Sequence, residues 1–192
     1  MARMGLTADR VAREAADLAD EVGFDKLSVA ALARRVGVAD ASLYAHVRNL
    51  AELRERVAAL AAGELADALG EAVAGRAGRE ALVAFANAYR DFAHGRPGRY
   101  AATQLPVDSE GGHRVVAACA ALLRGYALDE TARIDAIRLL CSMLHGWVTL
   151  EAAERFRLDR PMDASWRVAL DLLDGALIAL TQGRAPDGAD VR

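Results

Sequence analysis

From Thr7 to Gly183 the hydrophobic positions recur at spacings of three and four, and no stretch alternates at two for long enough to make a convincing strand. Val11, Ala15, Leu18, Ala19 and Val22 fall at i, i+4, i+7, i+8 and i+11, the stripe of an amphipathic helix that Thr7 caps and Gly23 ends. Phe24 and Leu27 then plug the core, and Ser28 caps a second helix whose buried face carries Ala31, Leu32 and Val36. Gly37 breaks that helix in αL geometry, Val38 turns inward, and Leu43 and Val47 continue the apolar side of a third, short helix. A long helix runs on from Asn49 with Leu53, Val57, Leu60, Ala61, Leu65 and Leu69 on one stripe; Gly70, Gly75 and Gly78 close it, and GRAGRE is the expected hinge. Further helices are expected over Arg79 to Gly95, Arg99 to Leu105 between Pro97 and Pro106, Ser109 to Ala127, Asp129 to Phe156 and Ala164 to Gly183. The expected fold is all-α: an N-terminal three-helix unit over residues 1–50, a larger helical domain over 51–183 and a disordered tail over 184–192.

The stretch Ser28 to Val47, SVAALARRVGVADASLYAHV, reads as helix, tight turn, helix, enclosed by a helix on either side. In such a helix-turn-helix the second helix lies in the DNA major groove. Its outward positions are Ala39, Asp40, Ala41, Ser42, Tyr44 and Ala45, with His46 and Arg48 just beyond. The small side chains let the backbone come close, and Tyr44, His46 and Arg48 can reach phosphates.

Residues 7 to 60 resemble the DNA-binding domain of the TetR family of transcriptional regulators. The matching residues, in register, include Thr7, Ala15, Ala19, Gly23, Leu27, Ser28, Ala33, Gly37, Val38, Leu43, Tyr44, His46, Val47 and Leu53. The resemblance implies a one-component regulator, a repressor by family habit, that binds double-stranded operator DNA as a homodimer and is released by a small-molecule effector. It also implies that the N-terminus of the first helix, at Thr7, abuts a DNA phosphate, which its unpaired N–H groups favour. Thr7 and Ser28 complete the candidate DNA-binding set.

Two features depart from the family pattern. Leu50 replaces the basic residue often found at the start of the fourth helix, leaving Arg48 as the nearest substitute. The recognition helix is also bare: Ala39, Ala41 and Ala45 offer methyl groups, and only Asp40, Ser42 and Tyr44 can hydrogen-bond, so readout leans on thymine methyls, on Asp40 with a cytosine amino group, or on DNA shape. The net charge of -3 is not that of a strongly basic nucleic-acid binder, and residues 1–56 hold nine basic and nine acidic side chains. Arrangement therefore matters: Arg3 on a flexible arm, Arg10, Arg34, Arg35, His46 and Arg48 could share one face, with Asp17, Asp20, Glu21 and Asp25 elsewhere.

In the last two helices the apolar residues cover an arc of about 220°, more than one core needs. The economical explanation is that each packs on its own subunit with one side and on a twofold copy with the other, as a four-helix interface built from Leu139, Met143, Trp147, Leu150, Trp166, Leu170, Leu173 and Leu177. Burial at the centre of a monomer is the alternative. A ligand pocket, if these middle helices enclose one, would draw on Phe85, Tyr89, Phe92, Tyr100, Gln104, Met143 and His145, an apolar wall with a few polar fixing points; the same residues also suit a plain core. HGWVTLEAAERF with DFAHGRPGRYAATQLP resembles the family subgroup tagged by Trp and His-Gly. His145 and Gly146 match, but Cys141 stands where the Trp is expected and Trp147 follows instead.

Other chemistry is weakly represented. The nearest approach to a carboxylate-histidine metal site is Glu110 with His113 and Asp91 with His94, set at helix ends, and no nucleophile elbow, phosphate-binding glycine loop or Cys-x-x-Cys occurs. No enzyme activity, metal or cofactor is expected. A helical dimer that keeps the scaffold but has lost DNA affinity is the other reading of the bare recognition helix. Cys119 and Cys141 sit in apolar segments and are expected as buried, reduced thiols. No apolar run approaches the roughly 20 residues of a bilayer span and the N-terminus lacks a signal peptide's apolar core, which together point to the cytoplasm and no membrane partner.

Overall fold

A computed structural model describes residues 6–182, and among these the chain is all-helical. Arg3 and the expected tail over 184–192 lie outside the described residues. In chain order the α-helices are α1 (Ala8–Val22), α2 (Val29–Val36), α3 (Asp40–Leu43), α4 (Leu50–Val73), α5 (Gly78–Gly95), α6 (Pro97–Ala102), α7 (Glu110–Leu123), α8 (Glu130–Ala152) and α9 (Met162–Gln182). Short 3-10 turns at Phe24–Lys26 and Arg124–Tyr126 lie between α1 and α2 and between α7 and α8. No described helix is long and apolar enough to cross a membrane.

The chain divides into two compact units. One contains the residues up to Ala68 together with Asp91–Val115, the other Leu69–Arg90 together with the residues from Val116 onward. Helices α4, α5 and α7 each contribute to both, so chain order and compactness do not coincide. The expected boundary at residues 50 and 51 falls in the first turn of α4.

The first unit closes around Val11, Ala15, Ala19, Leu32, Leu43, Leu53, Val57 and Ala61, all with essentially no exposed surface. Its helix ends follow local chemistry. The Thr7 side chain accepts the N–H of Arg10 and Ser28 accepts that of Ala31, satisfying donors that the first turns of α1 and α2 leave unpaired. Gly37 ends α2 in the left-handed region at φ 71°, ψ 39°, where a Cβ would be strained.

The sequence pattern did not signal that α6 belongs to this unit. Pro97 occupies the first turn of α6, where a missing N–H costs nothing, so it starts the helix besides ending α5. Helix α6 packs directly on α1: a Cβ on Gly98 would come within 2.1 Å of the Ala19 carbonyl carbon and oxygen. Arg99, buried at 8% exposure, meets three carboxylates there: its backbone N–H donates to Asp20 at 2.8 Å, and its guanidinium pairs with Asp20, with Asp17 at 2.7 Å and with Glu64 at 2.9 Å. A buried arginine is tolerated only when so compensated.

In the second unit α8 buries the single row Ala132, Ala136, Leu140, Leu144 and Val148, and α9 buries Trp166, Leu170, Leu173 and Leu177. Trp147 of α8 packs tilted against Trp166, the ring centroids 5.1 Å apart, and the Trp166 Nε1–H donates to Asn87 of α5 at 2.8 Å. Arg90 fastens the same end, pairing with Glu151 and, at 2.9 Å, with Asp163.

Candidate functional site

The exposed outer edge of the first unit is the helix-turn-helix. After Gly37, the Val38 N–H bonds to the Ala33 carbonyl at 3.1 Å, bringing the chain across into α3. Leu43 and Val47 are buried and act as the pegs that hold α3 to the core. Opposite them, Ala39, Asp40, Ala41, Ser42, Tyr44, Ala45 and Arg48 are all exposed, Tyr44 at 54%, and His46 is half-buried. Helix α3 is short, but the Tyr44, His46 and Val47 N–H groups bond back to Asp40 and Leu43, so the segment keeps turning through His46.

Arg48 and the start of α4 form one electrostatic unit. Asn49 caps α4 through its side chain, which accepts the Glu52 N–H at 2.9 Å, and Glu52 reaches back to accept the Arg48 N–H at 2.7 Å. Glu52 also pairs with the Arg48 guanidinium at 3.1 Å and the Arg56 guanidinium at 2.8 Å. The backbone N–H of Arg48, then the Arg56 and Arg48 side chains, hold this carboxyl down at about 2, against an ordinary 4.5. A depressed carboxyl stabilises the folded state fully above its unfolded value and loses that contribution as pH falls through the folded value. Unfolding titrations from pH 5 to pH 2 should therefore show an acid-side loss of stability that Glu52→Gln diminishes; an unchanged pH profile in the variant would remove this cap from the account.

The predicted clustering of basic residues is corrected at Arg35. It pairs with Glu21 at 2.7 Å and Glu14 at 3.4 Å, stapling α2 to α1. The reason is register: Glu14 and Glu21, two turns apart on α1, present carboxylates where the last turn of α2 crosses. Arg10 lies 3.9 Å from Glu14, while Arg34 and Arg48 are exposed on the solvent side. Asp17 and Asp20 are turned to Arg99, a role the sequence pattern did not reveal.

The candidate ligand residues divide between the two units. Phe92 and Tyr100, both buried, belong to the first with Gln104, which is exposed and donates to Thr103 at 2.9 Å. Phe85, fully buried, and the half-buried Tyr89, Met143 and His145 belong to the second. An unanticipated cavity of about 350 Å³ lies where the α8–α9 loop folds back: Trp147, Phe156, Leu158 and Met162 give an apolar lining, and Arg155, Arg157 and Arg160 add positive charge. The indole Nε1 of Trp147 is buried without a hydrogen-bond partner.

Half of the expected interface is likewise corrected. Trp166, Leu170, Leu173 and Leu177 are buried within their own chain and are core residues. Leu139 and Leu150 are exposed, and Met143 and Trp147 half-buried. Val168, Leu172, Gly175 and Ala179, on the side of α9 opposite its core stripe, are exposed instead, Leu172 at 70%. Within its own chain α9 thus buries one side of its apolar arc and leaves the other exposed, two sides that the periodicity did not tell apart.

Fold and exposed recognition segment together define a helix-turn-helix protein with a second helical unit. Residues 11–57 match the family described as bacterial regulatory proteins, tetR family, and residues 82–173 match the tetracyclin repressor-like C-terminal domain. YobS of Bacillus subtilis strain 168, described as an uncharacterized HTH-type transcriptional regulator, is 35% identical over 183 residues, spanning 92% of this chain and 95% of YobS. Among solved structures, apo ActR from Streptomyces coelicolor aligns with a TM-score of 0.73 at 20% identity, over 96% of this chain and 100% of ActR. A TetR variant from Acinetobacter baumannii in complex with minocycline aligns at 0.72 and 24% identity, over 92% and 99%. The chain belongs to the TetR family and is a helix-turn-helix transcriptional regulator.

Proposed function

We propose that this protein is a cytoplasmic repressor that binds operator DNA as a homodimer and lets go when a small, mostly apolar effector occupies its C-terminal unit. The observation that carries the DNA half is the outward row from Ala39 to Arg48, backed by the Leu43 and Val47 pegs. In this reading Tyr44, His46 and Arg48 hold phosphates, with the N-termini capped by Thr7 and Ser28 as further phosphate sites, while Asp40, Ser42 and the methyl groups of Ala39, Ala41 and Ala45 face base edges.

The homodimer rests on the second apolar face of α9, Val168, Leu172, Gly175 and Ala179, continued on α8 by Leu139, Gly146 and Leu150. An added Cβ at Gly146 or Gly175 would meet open space within 4 Å, which leaves room for a twofold copy to approach closely. For the effector, the candidates within the second unit are Phe85, Tyr89, Met143 and His145, and the α8–α9 cavity, whose volume and apolar lining suit a small molecule. The solved minocycline complex of a TetR relative supports a ligand role for this kind of domain. Effector binding shifts the population toward an arrangement in which the two recognition helices no longer match successive major grooves.

Binding assays with single variants test the DNA half. Tyr44→Ala and His46→Ala should weaken binding to all sequences alike, by about 1 to 2 kcal/mol each, with sequence preference unchanged. Arg48→Ala should in addition flatten the dependence of affinity on salt. Normal binding by all three variants would overturn the division between positioning and reading residues.

A further inference from the structure

The loop between α8 and α9 is held in shape by its own backbone. Helix α8 ends in a Schellman turn: the Arg155 N–H bonds to the Leu150 carbonyl at 2.9 Å and the Glu154 N–H to that of Glu151 at 3.0 Å, with Glu154 at φ 51°, the left-handed region where glycine is usual. The chain then doubles back, and Phe156 packs tilted against Trp147 with ring centroids 5.0 Å apart. An Arg160 N–H bond to the Leu158 carbonyl at 2.9 Å tightens a second turn, and the Pro161 carbonyl accepts the N–H groups of Ala164 and Ser165 as α9 begins. These turns frame the cavity of about 350 Å³. We propose that it binds a small amphipathic anion, a carboxylate on an apolar body.

The charges around the cavity are sorted. Residues 154–160 carry three arginines and two carboxylates, yet Arg155, Arg157 and Arg160 line the cavity while Glu154 and Asp159 do not. Among the described residues no hydrogen bond or ion pair holds any of these three guanidiniums, and the nearby Glu151 and Asp163 are taken by Arg90. Three like charges around one opening repel each other, and an anion relieves that. Guanidinium matches a carboxylate with two parallel N–H bonds.

The apolar body has its own wall in Phe156, Leu158 and Met162. Leu158 lines the cavity although 91% exposed, so it marks the mouth. A buried indole N–H normally has an acceptor, but that of Trp147 has none, and a carboxylate oxygen supplies one. A membrane surface would suit the arginines but not a concavity, whereas a small molecule suits both. The wall holds no carboxylate, histidine or thiol, so the site binds without reacting. Cys119 is buried elsewhere, and Cys141, expected to be buried, is exposed earlier on α8. As an effector site the cavity rests on the regulatory reading above; as a binding site it stands without it.

The test titrates decanoate, below its micelle concentration, into the full-length protein by calorimetry, with decanol as the uncharged isostere. Decanoate should bind once per chain and at least about tenfold more tightly than decanol, with the preference shrinking as salt rises. Arg155→Gln, Arg157→Gln and Arg160→Gln together, all at exposed positions, should remove the preference while circular dichroism shows an unchanged fold. The chain has two tryptophans, so isotopically labelled protein gives two indole N–H resonances, which Trp147→Phe assigns. Decanoate should move the Trp147 signal downfield and leave that of Trp166, whose N–H already donates to Asn87. No decanoate binding, equal affinity for decanol, a triple variant that binds like wild type, or capture by phosphatidylglycerol vesicles without decanoate binding would overturn the proposal. Operator affinity is a separate readout. Decanoate that binds here and leaves DNA affinity unchanged upholds the site and removes only its effector role, whereas failure to bind by protein that still holds DNA removes the site and leaves the regulator.

Discussion

Replacing Gly98 by alanine should lower the thermal stability of this protein far more than its size suggests. The new Cβ would stand 2.1 Å from backbone atoms of Ala19, and backbone cannot swing aside as a side chain can. Helix α6 must then lift from α1, and Arg99 leaves its carboxylates Asp17, Asp20 and Glu64. Overpacking of this kind costs about 2 to 3 kcal/mol, a fall in Tm of roughly 4 to 12 °C for a chain of this length. Gly70→Ala supplies the control, since its Cβ would meet nothing within 4 Å on exposed α4, and there alanine should be neutral or stabilise by up to about 1 kcal/mol. Calorimetry on the two variants gives opposite signs if α6 rides on the backbone of α1. Equal and small shifts would mean that α6 is not seated there.

A charge on the outer face of α9 should separate the subunits without unfolding them. Leu172 is 70% exposed in the single chain, so Leu172→Asp costs the isolated subunit little. In the dimer the same carboxylate would be buried uncompensated, at a cost of several kcal/mol. Sedimentation should therefore show a folded monomer, and because two half-sites act together, operator affinity should fall with it. Leu173→Asp makes the contrast: that side chain is 4% exposed within its own chain, so the variant should lose helical signal as well as self-association. If Leu172→Asp sediments like wild type, the outer face of α9 is not where the copies meet.

These two positions show where a sequence reading reaches and where it stops. Periodicity, caps and glycine breaks located the helix-turn-helix, because its helices are specified by neighbours in the chain: Thr7, Ser28 and Gly37 act where they stand. Leu172 and Leu173 are adjacent on a helix that is apolar nearly all round, and composition cannot say which side meets its own subunit. That requires Trp147 packed against Trp166 and Arg90 bridging Glu151 and Asp163, contacts between residues well separated in the chain. The seat of α6 was invisible for the same reason, since Gly98 and Arg99 look like ordinary residues after a proline. One signal was available: an arginine inside an otherwise apolar, proline-bounded turn needs carboxylates, and Asp17 and Asp20 lie one turn apart on α1. Likewise Arg35 looked free until Glu14 and Glu21 were found beneath it.

The most direct measurement is protection of DNA from the protein's own genome, mapped by footprinting across the region upstream of its gene at several salt concentrations. The account predicts two protected half-sites related by a twofold axis, centred about one helical turn or a multiple apart on one face of the duplex, with affinity falling steeply as salt rises and weakened, at unchanged sequence preference, in Tyr44→Ala. Protection of a single unpaired site, or no protection even at low salt with protein that is folded and dimeric, would contradict it.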